Sequence, residues 1–278
     1  MGALRADGFH PVDSVVVFAD WGDRLTAEAA DELMLSVEGP AAAEVPANAD
    51  NLVIRAVKAL ATAAGRKPAG RIGLTKHIPA GAGLGGGSAD AAAALRAFNR
   101  FWELDWPLDM LAGIGAEIGS DVPACVWSRP LRMTGRGERI RLIEGWPGFP
   151  ALLVNPGVSV ATGPVFEAFD AQEGGTGPAF RPSPGLDRES VLAALEAASN
   201  DLTAAACQTA PVIREVLGAL NGLNGVRLVR MSGSGATCFA LFDTMAARDL
   251  AAAHLRAGHP GWHVFSVALQ GDPSITPT

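Results

Sequence analysis

The sequence predicts an α+β protein of two domains that meet near residue 145. Three observations lead to this prediction. The chain has 278 residues, of which 49% are hydrophobic and 18% charged, so it is long enough for one large or two small cores. Its first part combines strand-like alternation with helical spacing, and a second series of strands and helices starts after Trp146-Pro147. We therefore expect one domain over residues 1–145 and another over residues 146–278.

The elements of the first domain follow from hydrophobic periodicity. Alternating or β-branched runs indicate strands, and apolar residues three and four positions apart indicate helices. The expected strands are Ser14–Ala19, Leu33–Val37 and Arg71–Ile78, and the expected helices are Asn51–Ala64, Ala89–Phe101 and Leu108–Ile118. Ser88 is expected to cap the helix that follows it, because a serine hydroxyl can accept a hydrogen bond from the first turn.

The second domain shows strands and helices around a predicted hairpin, which is typical of an open-faced α/β sandwich. A Gly/Pro-rich connection is expected over Glu173–Gly185. The expected strands are Ala151–Val154, Val226–Met231, Ala236–Phe242 and His263–Leu269, and the expected helices are Thr162–Phe169, Arg188–Ala198, Pro211–Leu220 and Ala246–Arg256.

Composition excludes several classes of function. The net charge is −7, from 22 Lys and Arg against 29 Asp and Glu, so a basic footprint for nucleic acid is not expected. Apolar stretches are far shorter than the ~20 residues that span a bilayer, and the N-terminus has no signal pattern, so no membrane partner is expected. Cys125, Cys207 and Cys238 form no CxxC pair, which favours a reducing compartment and predicts a cytoplasmic protein.

The most informative segment is rich in glycine, with five glycines among the seven residues Gly81–Gly87. Each costs on the order of 0.5–1 kcal/mol relative to alanine. A bound anion would offset that cost, because glycines let backbone N–H groups approach an oxyanion and the next helix adds unpaired amides. A flexible turn is the alternative. A Walker A loop would need a lysine before Ser88, and a dinucleotide-binding motif would need a parallel strand where this sequence continues as helix.

The segment Pro79-Ala-Gly-Ala-Gly-Leu-Gly-Gly-Gly-Ser-Ala-Asp-Ala-Ala resembles the central phosphate-binding motif of the GHMP kinase superfamily. Further segments are similar to one branch of it: Arg5-Ala-Asp-Gly-Phe-His, Gly119-Ser-Asp-Val-Pro and Met231-Ser-Gly-Ser-Gly-Ala-Thr. The resemblance covers essentially the whole chain. It implies the two-domain GHMP kinase fold, with a ribosomal protein S5 domain 2-like N-terminal domain and a ferredoxin-like C-terminal α/β sandwich.

The resemblance implies a catalytic role for Asp121, which stands where the family has its catalytic aspartate. Phosphoryl transfer needs an aligned hydroxyl that loses a proton, and a carboxylate can orient that hydroxyl and act as its base. The alternative is that Asp121 only caps a turn before Pro123.

The resemblance also implies a nucleotide site. We call the segment expected to hold the ATP phosphates the glycine-rich loop: Pro79, Ala80, Gly81, Ala82, Gly83, Leu84, Gly85, Gly86, Gly87 and Ser88. The adenine is expected near Asn51, Leu52, Lys76 and Ala80. A second glycine turn, made of Ser232, Gly233, Ser234 and Gly235, is expected to close over the site. The structural alternatives are caps for Asn51 and Ser88, a solvated strand position for Lys76, and a plain hairpin turn for the second motif.

The substrate expected from the resemblance is a cytidine diphosphate-linked methylerythritol of isoprenoid precursor synthesis, phosphorylated at its C2 hydroxyl. Phe9, His10, Thr162 and Phe166 are expected at its site, where aromatic rings stack on cytosine for about 1–3 kcal/mol per face. Family members usually carry Tyr at the position of Phe9, so a hydroxyl contact is lost. Ordinary core packing is the alternative for the two phenylalanines.

ATP and Mg²⁺ are the implied cofactors, and no residue is assigned as a metal ligand. A monomer or homodimer is expected. Two alternatives to this enzyme stay open at this point: a GHMP kinase for another small alcohol, and a nucleotide-binding homologue with impaired catalysis.

The second alternative follows from a departure at the start of the sequence. Family members carry a strand with a lysine upstream of the segment that begins at Arg5, and that lysine faces the aspartate. The chain as written has only residues 1–4 there. We expect the N-terminal sheet to lack a strand and the site to lack one cation.

Overall fold

The computed structural model describes the chain except residues 3, 5–7, 9, 173–179, 182–185 and 272–278. The N-terminal part starts with three strands, continues with helices around a fourth, and ends with two more strands. Its elements are β1 (Val12–Val16), β2 (Arg24–Glu28), β3 (Leu33–Glu38), α1 (Leu52–Ala63), β4 (Gly70–Thr75), α2 (Gly86–Phe101), α3 (Leu108–Ala116), α4 (Val122–Trp127), β5 (Leu131–Gly135) and β6 (Arg139–Leu142).

The C-terminal part starts with a strand that is buried along its whole length. Its elements are β7 (Phe149–Asn155), α5 (Thr162–Ala171), α6 (Arg188–Ala197), α7 (Thr203–Thr209), α8 (Val212–Asn221), β8 (Val226–Met231), β9 (Cys238–Phe242), α9 (Met245–Gly258) and β10 (His263–Leu269). None of the helices in the described part of the chain is both long and apolar enough to cross a bilayer.

The strands form three sheets. The first has the order β2-β4-β3, in which β3 and β4 are parallel and β2 and β4 antiparallel. The second, β1-β5-β6, and the third, β10-β7-β9-β8, are antiparallel throughout. Only one neighbouring pair among the described strands is therefore parallel, and helices pack on the sheets, which confirms the predicted α+β class.

The core of the N-terminal part lies between α1, α2 and β4. Val57, Leu60, Leu95 and Phe98 on the helices face Ile72 on the strand, and all five are fully buried. Each such side chain contributes about 1.5–3 kcal/mol when it leaves water. The alanines along the buried face of α2 let α1 approach closely, so α2 is held firmly behind the loop that precedes it.

A short segment after β1 joins the two parts of the chain. Phe18 accepts a hydrogen bond from Gln270 N at 2.7 Å, and Asp20 N donates to Ala268 O at 3.0 Å. Trp21 then stacks on Phe265 of β10 with ring centroids 4.1 Å apart. This segment covers the edge of the C-terminal sheet, which would otherwise expose unpaired backbone groups.

That segment explains one wrong boundary. The first strand was expected over Ser14–Ala19 but ends at Val16, because residues 18–20 pair with the C-terminal sheet. A second boundary is also wrong: α2 begins at Gly86 with Gly85 as its N-cap at φ +66°, so Ser88 lies within the first turn and caps nothing. Five elements were not predicted: β2, β5, β6, α4 and α7. Each of them is short, and each is either half-exposed or lies between two of the motifs.

Candidate active site

The glycine-rich loop leaves β4 at a point fixed by a buried carboxylate. Asp23 Oδ1 accepts hydrogen bonds from His77 N at 2.6 Å and Ile78 N at 2.9 Å. Asp23 lies just before β2, which pairs with β4, so the sheet itself brings this side chain to the loop. Two backbone groups that would be unpaired at the end of the strand are thereby satisfied.

Glycine is required at alternate positions of the loop. Gly81, Gly83 and Gly85 have φ values of +67°, +74° and +66°, a region that L side chains rarely adopt. Space is equally limiting at Gly83, where an added Cβ would lie 2.1 Å from the carbonyl oxygen of Gly235. The glycines therefore serve a defined backbone path in close contact with the second turn, which a flexible surface turn would not require.

The second glycine turn binds the carbonyl groups of the loop. Thr237 donates to Ala82 O through both its hydroxyl and its backbone N, the latter at 3.2 Å, and Ser232 Oγ donates to Gly83 O at 2.9 Å. Thr237 is 1% exposed and also accepts from Asn155 Nδ2 at 3.0 Å. The second turn therefore has a structural function in the site that a plain hairpin turn would not have.

This pairing sets the direction of the loop's amides. In a trans peptide the C=O and N–H bonds point in opposite directions. Because the carbonyls of Ala82 and Gly83 point toward the second turn, the N–H groups of Gly83 and Leu84 point away from it. The amides of the first turn of α2 have no intrahelical partner, and Gly85 offers no side-chain cap. Such an array of amides at a helix N-terminus suits an anion.

Lys76 is not a solvated strand residue. It is 2% exposed, and its Nζ donates to Asp23 and, at 2.8 Å, to Asp90 Oδ2 on α2. Burial raises the pKa of Asp90 to about 6, against the opposing effect of the Lys76 ammonium. Lys76, Asp23 and Asp90 therefore connect the start of the loop to α2. This ion triad lies next to the first turn of α2, where a Cβ on Gly86 would lie 3.3 Å from Lys76 Nζ. A contact of Lys76 with adenine stays a prediction.

Asn51 and its neighbours line the approach to the loop. Asn51 caps α1, because Oδ1 accepts from Val53 N at 2.9 Å and Nδ2 donates to Pro46 O at 2.7 Å. Leu52 lies 3.4 Å from the position of a Cβ on Gly87, at the first turn of α2. Ala80 N donates to Glu44 Oε2 at 2.8 Å. The structure thus brings Leu52 and the loop together, while the Asn51 side chain serves its cap.

Asp121 stands at the N-terminal end of α4 and its side chain makes no capping bond. The segment is positioned by close packing: a Cβ on Gly115 of α3 would lie 2.8 Å from Val122 Cγ1. Solvent reaches the carboxyl, yet the protein around it displaces enough water to raise the pKa of Asp121, against a hydrogen bond from Ser120. A carboxylate that solvent reaches and whose pKa is raised suits a general base.

The residues expected at the substrate base are partly assembled. The ring of His10 packs against Phe166 at 5.2 Å and against Phe169 at 5.8 Å between centroids. Its Nδ1 lies 3.0 Å from Gly2 O and its Nε2 3.3 Å from Asp170 Oδ1, so a base would have to replace one of these partners. Phe9 lies outside the described residues.

Sequence reasoning missed Phe169 and Asp170. Phe169 lies three residues after Phe166 on α5, so it shares a helix face with it, and that spacing was the available signal. Asp170 gave no signal, because its pairing with His10 joins distant parts of the chain.

Thr162 begins α5 and touches the second turn. Its hydroxyl lies 3.2 Å from Ser234 Oγ. Asn200 braces the same turn, with Nδ2 donating to Met231 O at 2.9 Å and to Gly233 O at 2.8 Å. Thr162 is therefore brought to the glycine turns, and through α5 these turns are connected to the aromatic cluster around His10.

Comparison with known proteins places this geometry in a family. The model of the GHMP kinases N-terminal domain matches residues 51–129, and the model of the GHMP kinases C-terminal domain matches residues 186–260. The first range holds the glycine-rich loop and Asp121, and the second holds the second glycine turn.

Curated relatives are similar over nearly their full length. The 4-diphosphocytidyl-2-C-methyl-D-erythritol kinase of Bradyrhizobium diazoefficiens is 45% identical over 274 residues, which cover 95% of this chain and 92% of that protein. The kinase of the same name from Methylobacterium radiotolerans is 46% identical over 276 residues, covering 97% of this chain and 94% of that protein.

Solved structures show the same likeness. The crystal structure of a 4-(cytidine 5'-diphospho)-2C-methyl-D-erythritol kinase matches with a TM-score of 0.74 and 32% identity, covering 96% of this chain and 93% of that one. A homoserine kinase from Cytophaga hutchinsonii matches with a TM-score of 0.71 at 16% identity, covering 93% of this chain and 89% of that one, a likeness in fold alone.

Proposed function

Because the chain belongs to the GHMP kinases, and within them to the 4-diphosphocytidyl-2-C-methyl-D-erythritol kinases, we propose that its glycine-rich loop and Asp121 transfer the γ-phosphoryl group of ATP to the C2 hydroxyl of that substrate. The chain is a phosphotransferase with an alcohol acceptor. The relatives do not favour a kinase for another alcohol or a homologue with impaired catalysis.

The observation that carries the proposal is the pairing of the loop's carbonyls with Ser232 and Thr237. It directs the amides of Gly83 and Leu84 away from the second turn, in line with the unpaired amides of α2. These amides bind the ATP phosphates and neutralise charge that develops on the transferring group. They need no rearrangement when the nucleotide binds.

Asp121 orients the attacking hydroxyl and accepts its proton. Its raised pKa makes the carboxylate a stronger base than that of a fully solvated aspartate. Mg²⁺ bound with the ATP phosphates would neutralise part of their charge. The Ser88 hydroxyl fits that role as a ligand, since within the described residues it makes no hydrogen bond and lies in the first turn of α2.

The cytosine of the substrate stacks on Phe166, with His10 at its edge. Thr162, hydrogen-bonded to the second turn, orders the start of α5 beside it. Asn51, Leu52 and Lys76 lie around the adenine. Phe166→Ala should raise the KM for the cytidine substrate about 5- to 100-fold, the equivalent of one lost stacking face, with little change in the KM for ATP.

The remaining assignments complete the proposal. The domains divide near residue 145, into 1–145 and 146–278. The protein acts in the cytoplasm, a reducing compartment that its buried free cysteines suit. It acts there as a monomer or homodimer.

The test is ADP release with Mg-ATP and the cytidine diphosphate-linked methylerythritol. Asp121→Asn should lower kcat about 10²- to 10⁴-fold, the range of general base catalysis, while calorimetry shows unchanged ATP binding. Asp109→Asn, at an exposed position of α3, is the matched control and should behave as the wild type. Near-normal turnover in Asp121→Asn would remove the base assignment, and no substrate-dependent ADP release by the wild type would remove the function.

A further inference from the structure

An arginine on α2 reaches across to the helix that begins at Asp121. Arg96 Nη1 donates to Cys125 O at 2.6 Å and to Val126 O at 3.1 Å. The side chain is half-buried, and burial lowers the pKa of its guanidinium. An arginine remains charged under these conditions, so a cation is held against the end of α4.

Arg96 binds the C-terminal end of α4, where backbone carbonyl groups lack a donor within the helix. The helix has six residues, Val122–Trp127, and a helix this short is marginal by itself. Its last carbonyls have no intrahelical donor and carry the negative end of the helix dipole. Ser128 ends the helix at φ +47° and returns its own N–H only to Ala124. The guanidinium therefore satisfies carbonyls that the helix leaves unpaired.

Asp121 stands at the opposite end of this helix. Six residues of α-helix span about 9 Å, so a rotation or shift at the end held by Arg96 moves the carboxyl at the other end. The helix that carries Arg96 is also the one whose first turn ends the glycine-rich loop. One side chain thus connects the two elements that must be in register for phosphoryl transfer.

We propose that Arg96 is a positioning residue, which through α4 sets the orientation of Asp121 relative to the ATP phosphates on α2. The inference rests on the proposed role of Asp121. Arg55 on α1 also binds this segment. Its Nη2 donates a long hydrogen bond of 3.4 Å to Ile118 O, shortly before Asp121. Because the donors of both bonds lie on core helices, the segment from residue 118 to residue 126 is held at its two ends.

The experiment compares Arg96→Met and Arg96→Lys with Arg100→Met, a matched control on the exposed face of the same helix. Arg96→Met should lower kcat about 10- to 100-fold, the loss expected for a misplacement on the order of 1 Å, while the KM for ATP stays within about twofold of the wild type. Arg96→Lys should recover part of kcat. Added guanidinium at non-denaturing concentration should recover part of it in Arg96→Ala.

A purely structural role predicts a different pattern. In that case Arg96→Met lowers only the melting temperature, kcat below the transition equals that of the wild type, and guanidinium has no effect, and this result would overturn the inference. If Arg96→Met does not fold, Arg96→Lys carries the same test, because one ammonium cannot satisfy two carbonyls with the geometry of the guanidinium.

The experiment distinguishes a failure of the proposed function from a failure of the role of Arg96. If wild type and Arg100→Met show no turnover with the cytidine substrate, amide hydrogen exchange over residues 122–128 decides whether Arg96 holds α4. Faster exchange in Arg96→Met but not in Arg100→Met supports the clamp, and equal exchange in both overturns it. If the wild type turns over and Asp121→Asn does not, normal kcat in Arg96→Met refutes the positioning role alone.

Discussion

Replacement of Asp90 by asparagine should stabilise the protein at neutral pH. Asp90, Asp23 and Lys76 form a buried triad with two carboxylates and one ammonium, so the triad carries a net negative charge when all three are ionised. An asparagine at position 90 resembles the protonated carboxyl and can still accept from Lys76 Nζ. Lys76 keeps Asp23 as its ionic partner.

The magnitude follows from the pKa of Asp90, which burial raises from 3.8 to about 6. The folded state holds this proton more tightly than the unfolded state, so ionisation lowers the free energy of unfolding as pH rises from about 4 through about 6. The full cost above that range is about 3 kcal/mol, and roughly half of it develops between pH ~5 and pH ~7.5. Asp90→Asn removes this cost.

The assay is urea unfolding of wild type and Asp90→Asn across that pH interval. The difference in unfolding free energy between the two proteins should grow by about 1 kcal/mol from the acidic to the neutral end, and carboxylates outside the triad cancel in this difference. Asp109→Asn serves as the control and should show a constant difference. A constant or shrinking difference for Asp90→Asn would refute the assignment of a destabilising buried charge.

Three further perturbations address the active site. Gly83→Ala, whose Cβ would lie 2.1 Å from Gly235 O, should raise the KM for ATP about 5- to 150-fold through strain of about 1–3 kcal/mol, whereas Gly113→Ala on α3, whose Cβ would meet open space, should change it little; equal values would contradict the close approach. The acid limb of the kcat profile should lie above the usual aspartate range, because the pKa of Asp121 is raised and activity falls as pH drops through it; pH-rate measurements check this. Thr237→Val removes the acceptor of the buried Asn155 Nδ2 and one of the two donors to Ala82 O, and should cost about 1–3 kcal/mol in urea unfolding, while a serine there should restore most of it.

Sequence could predict the features that depend on neighbouring residues. The glycine-rich loop, the cap at Asn51 and the periodicity of α1 are all encoded within a few positions, and the structure has them where the pattern indicated. The start of α2 was predicted wrongly because a serine such as Ser88 is a stronger sequence signal for a helix start than a glycine. In the structure the N-cap is Gly85, which adopts a left-handed φ.

The supports of the site could not be predicted, because they join distant residues. Thr237 binds Ala82 across 155 positions and Asp23 binds His77 across 54, and neither pairing leaves a local pattern. Arg96 reads in sequence as an ordinary polar position on an alanine-rich helix. Only the packing of α2 against α4 shows that it faces two unpaired carbonyls.

The bonds from Ser232 and Thr237 to the loop have a consequence for how the protein can be divided. The loop belongs to one half of the chain and the donors that fix its backbone belong to the other. Neither half expressed alone would present the amides in their binding orientation, so nucleotide affinity is a property of the assembled pair. Two fragments cut between these halves would therefore act as a complementation reporter, in which bound ATP favours their reassociation by mass action.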